Sequence, residues 1–148
     1  MIRRTLALAA ALVALAAPAL AADSVVKVTL DGRPIDKQQR SVALLHDGVI
    51  FADASDMNAS FNGLLTYGKD NKTVKILIGS RVGTFTVGST TMMAGSKSVK
   101  LAGAPFHYSG DIFIPLGAFV TNVAGARLRT SADKSRADIL VNANPLAK

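Results

Sequence analysis

Two histidines, His46 and His107, and an adjacent methionine pair, Met92 and Met93, are the side chains of this 148-residue chain best suited to a transition metal. A metal site needs several such donors converging, commonly at short spacings with an acid beside them. Neither histidine has that setting. Each stands just before the turn that opens a Gly-x-Ile-Phe strand and reads as a surface turn residue, and the two would meet only if a two-fold axis related the halves of the chain. A methionine pair alone reads as flexible core filler. The expectation is therefore no metal and no cofactor, with these four residues as the candidates a metal would have to use.

Covalent and hydrolytic chemistry fare no better. Nucleophilic catalysis requires a base oriented by a third group, and the serines lie in no Gly-x-Ser-x-Gly elbow. All ten acids are Asp, placed mostly at turns and helix caps, so no carboxylate pair for hydrolysis stands out. The glycine-rich Gly79–Gly88 stretch lacks the lysine of a phosphate loop. The Asn58-Ala59-Ser60 glycosylation pattern falls on a predicted helix and reads as accidental. No catalytic residue is nominated, and the chain is read as not an enzyme.

Charge points to partners instead. Seventeen Lys and Arg against ten acids give a formal net charge of +7, spread along the chain rather than run together. Such an excess favours anionic partners. The candidate binding residues are Arg127, Arg129, Lys72 and Lys75, on the outward sides of predicted hairpins. Few aromatics and no basic run argue against nucleic acid.

Met1 to Ala21 has a basic start, an Ala/Leu-rich apolar run from Leu6 to Leu20, and a closing Ala-Leu-Ala. That order reads as a secretory signal peptide cut near Ala21-Ala22. The run is too short for a spanning helix and is broken by Pro18. No transmembrane segment is expected after cleavage, and the location is read as periplasmic or secreted. With no Cys there is neither a disulfide nor a lipidated cysteine.

Alternating residues predict strands at Val26–Leu30, Val74–Ile78, Val82–Val87, Ala126–Arg129 and Ile139–Val141. His46-Asp47-Gly48 predicts a hairpin turn into Val49–Phe51. Two short helices follow matching strands. Ala54, Met57 and Phe61 make one face of the first; Leu116, Phe119, Val120 and Val123 make that of the second, after Pro115. Gly63 and Gly125 are expected to stop them in the left-handed conformation. Gly88–Lys97 is read as a connection. Gly48, Phe51 and Gly63 recur sixty-two residues on as Gly110, Phe113 and Gly125, and the helix faces agree, with Met57 matching Phe119. An internal repeat of two halves, about 25–78 and 82–142, follows.

VKVTLDGRPI, GVIF with its helix and FNGLLTY, IGSRVGTFTVGS, VKLAGAPFHYSGDIFIPLGAFVTNVAGARL and the closing ADILVN together resemble the copper amine oxidase N-terminal-like (stalk) domain of secreted and cell-envelope bacterial proteins. The resemblance covers nearly all of the chain after the signal. It implies an antiparallel sheet twisted around a helix. It also implies an appendage that, in the oxidases, carries neither copper ligands nor quinone. The first helix departs from the second, with Asp53 for Pro115 and Asn58 for Val120.

The expected fold is α+β: two strand–helix–strand halves forming antiparallel sheet packed on two short helices. Residues 1–21 are the signal peptide, 22–142 the domain and 143–148 a tail. The expected function is a non-catalytic exported structural or binding module of the bacterial envelope, partnered by a protein or envelope component. The alternatives are an electrostatic binder of anionic envelope polymer or lipid, and a small periplasmic metal-binding protein.

Overall fold

The computed structural model describes residues 23–35 and 42–141; the signal peptide expected over 1–21 and the tail over 143–148 lie outside them. In chain order the structure opens with β1 (Ser24–Val25), β2 (Lys27–Leu30), β3 (Arg33–Pro34), β4 (Ala43–His46) and β5 (Val49–Asp53). Helix α1 (Ala54–Ser60) follows, then β6 (Leu64–Tyr67), β7 (Thr73–Ile78), β8 (Arg81–Thr86), β9 (Thr91–Ala94) and β10 (Lys97–Lys100). Next come β11 (Phe106–Tyr108), β12 (Asp111–Pro115) and α2 (Leu116–Phe119), which continues into a π-helical turn, Val120–Ala124. Strands β13 (Arg127–Thr130) and β14 (Arg136–Leu140) close the order.

These strands make three sheets, ordered β1-β4-β5-β12-β11, β10-β9-β8-β7-β6 and β13-β14-β2-β3. The α+β expectation is overturned: 51% of the described residues are strand and 14% helical. Two short helices cannot serve as a packing layer. They fill the space between the sheets, α1 touching β5, β6, β7 and β12, and the second helix touching β5, β7, β8 and β13. One pairing is also parallel, with Ala137 of β14 beside Val28 of β2. The Gly88–Lys97 connection turns out to contain β9, paired with β8 and β10. Its alternation is hidden because the same residue type, Met, occupies both faces: Met92 is buried and Met93 exposed.

The second helix stands at the junction. Leu116, Phe119, Val120 and Val123 are all fully buried, and its π turn touches β7, β8 and β13. Around it gather Ile50 and Ile114 from the first sheet, Ile76 and Phe85 from the second, and Val28 and Ile139 from the third. Burying one Phe or Ile side chain contributes about 1.5–3 kcal/mol. On the far face of the first sheet, Leu44, Phe51 and Phe113 form a smaller cluster with Phe106 against it.

The β4–β5 and β11–β12 hairpins share their local geometry. Leu44 pairs Phe51 as Phe106 pairs Phe113, and at the central seam Phe51 faces Pro115 while Asp53 faces Phe113. The helix stops differ, however. Gly125 is left-handed at φ 63°, but the first helix turns at Asn62, φ 52°. Gly63 is needed for closeness instead: a Cβ there would stand 2.8 Å from the Leu77 carbonyl.

Candidate functional site

The metal candidates do not converge. His46 lies on the face of the first sheet that carries Phe51, with its ring 4.8 Å from that of Phe106. Its Nδ1 is 2.7 Å from Asp23 Oδ1. His107 pairs with Ile112, one residue out of register with the Tyr108 that corresponds to His46, so it belongs to the opposite face. The thioethers of Met92 and Met93 likewise occupy opposite faces of β9. Among the described residues no group of three or more His, Cys, Asp or Glu is placed to hold a metal ion.

The basic candidates divide between sheets. Lys75 is exposed on β7 and Lys72 in the turn before it, where its N–H donates to Asp70 at 3.1 Å. Arg127 and Arg129 belong to the four-stranded sheet, where alternation turns both outward while Leu128 faces the core. Two further cations join them: Arg136 of β14 and, directly beside it by the parallel pairing, Lys27 of β2. All four are exposed. The face they share also carries Asp138, opposite Arg129. Asp138 accepts from the Thr29 hydroxyl and lies 3.6 Å from Arg129 Nη2. The Thr29 hydrogen bond, with Arg129 and Arg136 nearby, lowers its pKa below the usual carboxylate range. Strand alternation marks Lys27 and Arg136 as outward, but only the sheet order makes them neighbours of Arg127 and Arg129.

A family profile, the copper amine oxidase N-terminal domain, matches residues 29–139, from β2 to β14. The chain belongs to this family. In it, the copper amine oxidase N-terminal domain is a non-catalytic module. No curated protein and no solved structure matches the chain. Among the described residues no helix is long and apolar enough to cross a membrane.

In this copper amine oxidase N-terminal domain the pairing of β5 with β12 carries a buried acid. Asp53 is 1% exposed and caps α1, accepting from the N–H groups of Ser55 at 2.8 Å and Asp56 at 3.2 Å. Burial, a hydrogen bond with Asp111 and repulsion from Asp56 and Asp111 raise its pKa from 3.8 to about 6, against the pull of the cap. A carboxyl whose pKa rises on folding favours the native state most below its unfolded value, and that contribution is lost as pH rises through about 6. Asn caps a helix as well as Asp and carries no charge. Asp53→Asn is expected to match the native protein near pH 4 and to exceed it by about 1–3 kcal/mol at pH 7.5. Urea denaturation at both pH values checks this; equal stabilities at pH 7.5 would remove the buried-charge account.

Proposed function

We propose that the chain is an exported, non-catalytic binding module of the bacterial envelope that holds an anionic envelope polymer against its four-stranded sheet. One observation carries the reading: Lys27, Arg127, Arg129 and Arg136 lie exposed on a single face, with Asp138 as the acid among them. Neighbouring strands are about 4.8 Å apart and alternate residues about 7 Å apart, so the cations form a flat array suited to a charged chain. The secretory leader pattern of residues 1–21 supports export, and the family's non-catalytic role supports binding rather than turnover.

Retention of long-chain polyphosphate, and of isolated envelopes, tests the proposal. Exposed charges are screened within about 8 Å at physiological salt, so affinity is expected to fall about tenfold between 50 and 300 mM salt. The triple variant Arg127→Ser, Arg129→Ser, Arg136→Ser is expected to weaken binding by more than tenfold, while Lys72→Ser with Lys75→Ser changes it little. Salt-insensitive retention, or equal losses in the two variants, would overturn the assignment. Preferential binding to anionic lipid vesicles would replace the polymer with a membrane surface.

A further inference from the structure

The other face of β13 borders a groove. Leu128 and Thr130 border an open groove of about 430 Å³ between the second helix, the Gly48–Ile50 turn and β10. Volumes of about 300–1,000 Å³ are typical of small-molecule sites. The walls are apolar, from Val49, Val99, Pro115, Ala118 and Leu128, and two lysines, Lys100 and Lys134, line the groove without any carboxylate. Lys134 is held in place by donating to the Gly48 carbonyl, which leaves its other N–H groups available.

Sixty-two residues apart, Val49, Pro115 and Ala118 correspond to Asp111, Asp53 and Asp56. The corresponding place on the other side of the β5–β12 pairing thus gathers three carboxylates, with Asp53 against both Asp56 and Asp111, where the groove has apolar walls. The strand–helix unit therefore does not require the groove for its own packing.

We infer that this groove binds a fatty carboxylate, with the alkyl chain along Val49, Ala118 and Leu128 and the carboxylate taken by Lys100 and Lys134. Charge complementarity selects the headgroup, since the lining offers two cations and no acid. The body is selected by the walls, whose apolar surface from Val49, Val99, Pro115, Ala118 and Leu128 suits an alkyl chain.

Decanoate below its micellar concentration, titrated against the full chain by calorimetry and by amide NMR shifts, tests the inference. Saturable one-to-one binding is expected, about tenfold tighter than that of decanol or decyltrimethylammonium. Lys100→Ala with Lys134→Ala is expected to erase the preference for decanoate over decanol. Gly117→Leu fills the groove from its floor: a Cβ there meets only Leu128 Cδ2, at 3.9 Å, and the backbone is not left-handed. This variant is expected to keep its urea midpoint and lose binding. Failure of decanoate to saturate, equal affinity for decanol, unchanged binding in Gly117→Leu, or displacement by an acidic peptide at lower concentration would each overturn it.

Discussion

Replacing Phe119 by alanine is expected to lower the unfolding free energy by about 3–5 kcal/mol, the usual cost of emptying a buried aromatic site. Phe119 is 0% exposed and is the last residue of α2, where the chain enters the π turn. Its ring meets that of Phe61 edge-on, with centroids 5.6 Å apart, so the substitution also removes the contact between the ends of the two helices. The cavity would open where three sheets converge, and strand backbones tied into ladders cannot collapse to fill it. Chemical denaturation measures the loss. A change below about 1 kcal/mol would mean that the helix face is not the centre of the core; Phe119→Leu, which keeps most of the volume, is expected to cost clearly less than Phe119→Ala.

The opposite change, adding one methyl group, should also be felt at Gly83. This glycine sits in β8 opposite Ile76, and a Cβ there would press well inside contact distance of Val123 Cγ2 in the π turn and lie 3.3 Å from Phe85 Cε2. Valine is branched at Cβ and stiff in a helical backbone, so it cannot swing aside. Gly83→Ala is expected to cost about 1–3 kcal/mol by overpacking, although alanine is otherwise no worse than glycine in a strand. Adding Val123→Ala should recover part of that loss, because the two side chains then fit. A double-mutant cycle with a coupling below about 0.5 kcal/mol would show that β8 and the π turn are not in the contact described.

Much of the local structure was legible. Asp47-Gly48 and Ser109-Gly110 both adopt positive φ at their hairpin turns, and Gly125 ends its helix in the left-handed region. These outcomes depend on residues within a turn or two, where steric limits act directly. Misreadings arose where neighbours in space replaced neighbours in sequence. Gly63 was expected as a left-handed stop, yet the Leu77 strand behind it sets its role and Asn62 takes the turn. The stretch around Met92-Met93 carried no polar alternation to betray a strand, so its pairing with β8 and β10 was unreadable. With that strand and its neighbours counted, a fold expected to rest on helices is mostly sheet.

The candidate sites divide in the same way. Arg127 and Arg129 were readable as outward because strand alternation acts within one segment. Only the tertiary structure set Arg136 beside Lys27, laid Asp53 against Asp111, and opened the groove between β10 and β13. Strand pairing can join segments more than a hundred residues apart, and its register is chosen by which apolar faces can be buried together. By itself, the sequence determined turns, faces and charge. Which charges meet, and what they enclose, was decided by three sheets closing on one short helix.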